Sequence, residues 1–392
     1  MNPGLDFHRE GAKHAKKTRR TLVWLRLCCS VFICGFIHSD GGICELSPGN
    51  SRLNNGTRSA DVLALTENTA LFQCPACQSP FSAVDPRCVR CVQGHTFPVE
   101  KGLPILFSAH QEYGSNKDVT DVIKSFYMKH PFPDYEDTDS VGSLIHRAEQ
   151  SVFARTLDRA IPFGARVLEV GCGTGQLSLY LSVAKRSVFG VDLCPNSLQL
   201  AREFRDTHGL DRAFFYQMNL FRPIFKPETF DLVYCSGVLH HTGFPRKGFD
   251  SICPLVKRGR YIIIGLYNRY MRIPTHLRRL LSRFVDIRHI DPIVRRFSTG
   301  KKQETWFMDQ YRNPHETGHS IEEVIEWFDD NGFEFVNSVP STRLGGTAAA
   351  VAHPFEPVDR GSTVETILSQ VTAIPTFGRE GGLFIVIGKR RR

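Results

Sequence analysis

This 392-residue chain has no uninterrupted apolar run long enough to cross a bilayer. Its best candidate, Leu22–Ile37, is broken by Arg26. The clean part, Leu27–Ile37, falls well short of the ~20 residues that a spanning helix requires. Internal repeats are missing as well, which removes the solenoid and propeller classes. The 12 cysteines lack the spacing of a disulfide framework. Four lie in the first 44 residues, four within residues 74–91, and Cys172, Cys194, Cys235 and Cys253 are scattered along the remainder. One tight cluster among dispersed thiols points to a reducing compartment and a metal site.

What is present is an ordinary globular composition, 41% hydrophobic and 23% charged, with a formal net charge of +9 that favours anionic partners. Residues 1–68 are expected to be an extension and linker. A basic run (Lys13, Lys16, Lys17, Arg19, Arg20) precedes the apolar stretch, and this pairing fits an extension without structure, a membrane anchor or a cleaved signal. Residues 69–110 form a compact β-like unit. The main domain is expected over 111–392, with a basic insertion at 268–318.

Within 166–267 apolar strands alternate with helical segments. The strands are expected at Val167–Val170, Ser187–Val191, Phe214–Met218, Phe230–Cys235 and Tyr261–Leu266. Near-continuous apolar strands in a β/α alternation indicate a parallel sheet covered on both faces. Ser320-Ile-Glu-Glu323 has the form of a capping box opening a helix. Two more strands follow at Phe333–Val336 and Leu383–Ile387, separated by a Gly/Ala/Pro-rich insertion at 341–380.

Three motifs converge on a nucleotide cofactor. Glu169-Val-Gly-Cys-Gly-Thr-Gly175 places glycines at 171, 173 and 175, around Cys172, at a strand-to-helix turn. Such a turn needs positive φ or close backbone approach. The third glycine comes one position too early for the dinucleotide fingerprint G-x-G-x-x-G. Asp192 closes the next strand, about 20 residues on, where an acid can accept both hydrogen bonds of a ribose diol. Leu193 beside it would pack on an adenine. The third motif is Phe230-Asp-Leu-Val-Tyr-Cys-Ser-Gly-Val-Leu-His-His-Thr242. Together these resemble the class I S-adenosylmethionine-dependent methyltransferases. That resemblance implies a Rossmann-like seven-stranded sheet with an antiparallel last strand, and S-adenosyl-L-methionine as cofactor. By position it implies Glu169 at the methionine amino end, Gly171, Gly173 and Gly175 as a backbone cradle, and Asn219 at the adenine amino group. It also puts Ser236 and Gly237 beside the methyl donor.

Cys74-Pro-Ala-Cys77 and Cys88-Val-Arg-Cys91 are two C-x₂-C pairs ten residues apart, a tetrahedral zinc pattern. Cys91-Val-Gln-Gly-His95 offers a C-x₃-H alternative. The segment resembles the zinc ribbon that precedes several bacterial methyltransferases. The expected ligands are Cys74, Cys77 and Cys91, with Cys88 or His95 as the fourth, around a structural zinc.

The acceptor would enter beyond the carboxyl ends of the strands. The segments placed to cover that end are the helix carrying Phe126, Tyr127, Phe132 and Tyr135, the turn 237–244, and the insertion. Leu277, Leu280, Leu281 and Phe284 share a helical face among the insertion's arginines, a pattern open to a solvated helix, a phosphate-rich substrate, a nucleic-acid backbone or an anionic membrane surface. Tyr311, His315, Glu316 and His319 follow, as pocket lining or as helix capping. His241 and Tyr267, at the ends of strands, are the candidate general bases. The function expected is methyl transfer to a small-molecule or lipid-like acceptor, with rRNA or tRNA, or a non-catalytic adaptor, as alternatives. The expected location is cytoplasmic, with weak membrane association through residues 22–37 as a further option.

Overall fold

A computed structural model describes residues 59–110, 119–133, 135, 139–289, 291, 294, 300–346, 353–377 and 381–392. The apolar run 22–37, and with it the expected anchor, lies outside the described residues. Among the described residues no helix is long and apolar enough to cross a membrane.

Seven strands make the central sheet: β5 (Arg166–Val170), β6 (Ser187–Asp192), β7 (Ala213–Met218), β8 (Phe230–Ser236), β9 (Val256–Tyr267), β10 (Phe333–Val339) and β11 (Leu383–Arg390). Their order is β7-β6-β5-β8-β9-β11-β10. Strands β5 to β9 run parallel, and β11 lies antiparallel to both β9 and β10. Val167, Leu168, Val188, Val233 and Ile262–Ile264 are fully buried, as strands covered on both faces require. The chain leaves β5 toward β6 and β7, and returns on the other side as β8 and β9. This reversal opens a crevice at the carboxyl ends of β5 and β8, the place where open α/β sheets bind ligands.

The cysteine-bearing unit extends this same sheet. It is an antiparallel meander of β1 (Phe81–Val84), β2 (Cys88–Cys91), β3 (Thr96–Glu100) and β4 (Leu103–Leu106). Strand β4 then adds parallel to the edge of β7 through Ile105↔Gln217 and Leu106↔Met218. The β7 edge of the sheet is thereby covered instead of being left as an open template.

Two elements differ from the expectation. Part of the expected linker is a helix, α1 (Ala60–Glu67), capped by Ser59, whose hydroxyl accepts from the Val62 N–H. Its polar composition hides its purpose. Asp61 is buried and accepts from Arg202 Nε (2.6 Å), Arg205 Nη1 (2.5 Å) and the Phe215 N–H (2.7 Å). The region 341–380 likewise holds α11 (Thr363–Thr372), whose Gln370 accepts from Asn268 Nδ2 and the Ile321 N–H. Of the Ser320–Glu323 capping box only half forms. Ser320 Oγ accepts from the Glu323 N–H, while the Glu323 carboxylate turns to His319 Nδ1 (2.8 Å) and Arg269 (2.7 Å).

Breaking a buried ion pair by removing one partner costs about 3–5 kcal/mol. Asp61→Ala, which strands two buried arginines, should lower the urea unfolding free energy by about that amount. Glu67→Ala, at the other end of the same helix, should change it by less than about 0.5 kcal/mol.

Candidate active site

The crevice at the carboxyl ends of β5 and β8 is the mouth of one continuous cavity of about 1590 Å³, counted out to solvent. Its floor is the turn after β5. Gly171, Gly173 and Gly175 take φ of 70°, 54° and 74°. A Cβ on Gly171 would lie 2.2 Å from the Val238 side chain, and one on Gly173 would lie 2.1 Å from the Phe132 carbonyl oxygen. Neither the dihedral nor the space admits a side chain.

Asp192 ends β6 against this turn. Its Oδ2 accepts from the Gly173 N–H (2.9 Å) and its Oδ1 from the Cys194 N–H (2.8 Å). Burial raises its pKa, against those backbone donors. Glu169, one residue before the strand's end, accepts from Ser178 Oγ at 2.5 Å, and burial pushes its pKa up to about 8. Cys172 is buried in the turn, and burial raises its thiol well above the ordinary range. Leu193 and Ser236 also line the cavity. Asn219 lines it too, but its amide is engaged elsewhere. Nδ2 donates to the Ser108 carbonyl (2.9 Å), and Oδ1 accepts from the Phe221 N–H (3.1 Å). It therefore ties the exit of the cysteine-bearing unit to the cavity wall.

The other end of the cavity is built from α2 (Thr120–Lys129), the turn after β8 and the π-helical turn Met308–Arg312. Asp309 is its centre. It accepts from Tyr127 OH (2.8 Å) at Oδ1, and from Gln310 Nε2 (2.8 Å) and Tyr267 OH (3.4 Å) at Oδ2. Tyr267 also accepts from Gln310 Nε2 at 2.7 Å, and the Arg272 guanidinium lies 3.7 Å from its ring centroid. Burial and the Asp309 charge raise the Tyr267 and Tyr127 phenols, so both keep their protons and act as donors. His241 is different. Its Nδ1 sits 2.8 Å from the His315 carbonyl oxygen, an acceptor only, so Nδ1 carries the proton and Nε2 a lone pair. Burial lowers its pKa, partly opposed by Asp309. A neutral imidazole on the cavity wall is thus available to take a proton.

Of the other residues singled out in the sequence, Tyr127 and Phe132 line the cavity, whereas Tyr135 stacks on Phe204 outside it. Tyr311 turns to Asp291, Glu316 to Arg272, and His319 to Thr317 and Glu323. They build the wall without lining it. The lining residues of that stretch are Asp309 and Gln310, which sequence reasoning did not single out. The only signal for them was an acid and an amide beside a tyrosine in an otherwise basic insertion.

The cysteine cluster lies apart from the cavity. One donor atom from each of Cys74, Cys77, Cys91 and His95 falls within 4.8 Å of the others. The Cys77 and Cys91 sulfurs are 3.8 Å apart, close to the ~3.8 Å edge of a tetrahedron with Zn–S bonds of ~2.3 Å. Cys88 is not in this group, and its Sγ faces Asp85 Oδ2 at 3.3 Å.

Residues 163–314 match the family model described as "Methyltransferase domain". An uncharacterized protein of Synechococcus sp. is 26% identical over 250 residues, covering 56% of this chain and 60% of its own. The ubiquinone biosynthesis O-methyltransferase of Bordetella parapertussis is 34% identical over 111 residues, covering 27% of this chain and 44% of its own. The chain thus spans about half the length of these curated relatives. Among solved structures, magnesium protoporphyrin IX methyltransferase of Synechocystis with bound SAH aligns with 69% of this chain and 99% of its own, at 16% identity and a TM-score of 0.40. The family match spans the glycine turn, Asp192 and the turn after β8, on a sheet of the order just described. Residues 163–314 of the chain thus carry a methyltransferase domain.

Proposed function

We propose that the protein transfers a methyl group from S-adenosyl-L-methionine to a small-molecule or lipid-like acceptor. One observation carries this reading. Among the described residues the cavity wall holds three carboxyl groups, Glu169, Asp192 and Asp309, and no lysine or arginine. A cofactor with a sulfonium and an ammonium group suits such a wall. The pyrophosphate of a nicotinamide dinucleotide would face the carboxylates instead. Glu169, whose proton is held by burial and by the charge of Asp192, gains its natural counter-charge from the cofactor's amino group. Asp192 has lone pairs left for the ribose diol, and the positive-φ turn leaves backbone room beneath the ligand. Leu193 would pack on the adenine, with Asn219 Oδ1 near its amino group, and Ser236 at the donor end. The bound cofactor supplies an electrophilic methyl group. This chain's residues then contribute position and proton handling, and alignment of donor and acceptor is worth a large part of the barrier.

At the acceptor end, His241 Nε2 accepts the proton that an acceptor hydroxyl or amine loses as its new bond to carbon forms. Tyr127 and Tyr267, holding their protons, orient the acceptor as donors. The name of the Bordetella relative, an O-methyltransferase, is in line with a hydroxyl acceptor. An RNA acceptor fits less well. Arg272, Arg278 and Arg279 of the insertion are bound to Glu316, Asp291 and the backbone of Tyr311 and Asn313, leaving them poorly placed for phosphates. We further propose that Cys74, Cys77, Cys91 and His95 hold a structural zinc. Four protein ligands leave no position open for chemistry.

Labelled cofactor added to fractionated cell extract should place label in small molecules or lipids, and label in RNA alone would overturn the acceptor reading. His241→Ala should lower kcat by roughly 10²–10⁴ while leaving S-adenosylhomocysteine affinity within about two-fold. Unchanged turnover would remove His241 as the base. For Glu169 the folded value near 8 stands above its ordinary 4.5, so protonation favours the native state. That stabilisation is complete below about pH 4.5 and fades as pH rises through about 8. The ligand-free Tm should therefore fall between pH 5 and 8, less steeply in Glu169→Gln. Metal analysis should find one zinc per chain, lost in Cys91→Ser and retained in Cys88→Ser.

A further inference from the structure

The helix α8 (Ile273–Leu281) that opens the basic insertion sits on the protein the wrong way round. Ile273, Leu277, Leu280 and Leu281 recur on the helix within an arc of about 100°, and Phe284 follows in the turn beyond it. An amphipathic surface helix normally turns such an arc to the core. Here the five are 47%, 64%, 54%, 45% and 81% exposed. The face toward the protein is the polar one. Thr275 and Arg272 are buried. Arg278 donates to Asp291 Oδ2 at 2.8 Å, and Arg279 donates to the carbonyls of Tyr311 and Asn313. The arginines fasten the helix down, and the leucines are left outside.

We infer that this apolar face docks on an anionic lipid bilayer surface, with α8 lying in the plane of the interface. A helix whose apolar face enters the acyl boundary while basic residues meet anionic headgroups binds in this way. The charge beside the strip is that of Arg283, exposed at its rim. The other five arginines between residues 269 and 288 are held by Glu323, Glu316, Asp291, Asp286 and Glu304 or by backbone carbonyls, and serve to fix the helix. A nine-residue helix is about 13.5 Å long, so its one face offers far less than the ~800 Å² per partner of a stable protein interface. A bilayer makes no such demand, because each buried side chain contributes separately. The same fastening reaches the cavity. Asn313, held through its carbonyl by Arg279, donates from Nδ2 to Tyr127 OH (3.0 Å), which in turn donates to Asp309. A docked helix would thus hold one wall of the acceptor end at the membrane surface.

The test is co-sedimentation of the full chain with vesicles of phosphatidylcholine alone or mixed with phosphatidylglycerol. Partition should favour the mixed vesicles and fall at least ten-fold in the triple variant Leu277→Glu/Leu280→Glu/Phe284→Glu. S-adenosylhomocysteine affinity should not change, since none of the three lines the cavity. Equal partition of the two proteins would overturn the proposal, by assigning binding to another segment. So would failure of the wild type to sediment. A fall in oligomeric mass or Tm in the variant without vesicle binding would overturn it too, by showing the face to be covered by a second copy or by the chain itself. Vesicle binding is read without turnover, so this inference and the methyl-transfer reading can fail independently.

Discussion

The turn after β5 has no room for a side chain, and much of the molecule is arranged around keeping it so. Gly171 lies under Val238 of the turn after β8, and Gly173 lies under the backbone carbonyl of Phe132. Its own N–H is held by Asp192 at the tip of the neighbouring strand. Three separate stretches of chain therefore meet at one loop whose φ values exclude L side chains. A substitution there would displace whole segments instead of adjusting a rotamer. The Asp192 carboxylate does two things at once: two backbone donors fix it, and the lone pairs that remain face the cavity.

The end of the cavity away from the glycine turn is organised by a buried charge. Asp309 is surrounded by donors, Tyr127, Tyr267 and Gln310, and each of these is held by something else. Arg272, stacked on Tyr267, is neutralised in turn by Glu316 and capped by the Gly381 carbonyl. A network of this kind is costly unless every member is satisfied, which explains why a basic, loop-rich insertion folds back onto the sheet. It also fixes the proton inventory. Two phenols are held protonated, and one imidazole is held neutral.

The strands of the sheet, the glycine turn and the acid at the tip of β6 were legible in the sequence. Apolar strands, positive-φ glycines and strand-end acids have local causes that spacing exposes. Asp61 and α1 were not legible, because a single buried acid in a polar stretch looks like a loop until its arginines, some 140 residues away, come into contact. Asp309 was hidden in the same way among arginines. The orientation of α8 could not be read either. Its periodicity was plain, but periodicity shows only that a helix has two faces. Which face turned inward was decided by the acceptors that Asp291, Tyr311 and Asn313 present to the arginines.

The cysteine cluster belongs to the same mechanical unit as the cavity, though it lies apart from it. Strand β4 leaves the meander, pairs with β7, and delivers Ser108 to the Asn219 side chain. Asn219 follows directly on β7 and lines the cavity. On the other side, α1 anchors the unit to Arg202 and Arg205 of the helix after β6 (Pro195–His208), the helix entered directly from Asp192 through Leu193 and Cys194. The small unit is thus attached at one end to β7 and at the other to the helix entered from β6. A meander of four short strands cannot hold its own shape by burial alone. Whatever holds the Cys74, Cys77, Cys91 and His95 donors together therefore also steadies the register of β4 on β7, and with it the position of Asn219.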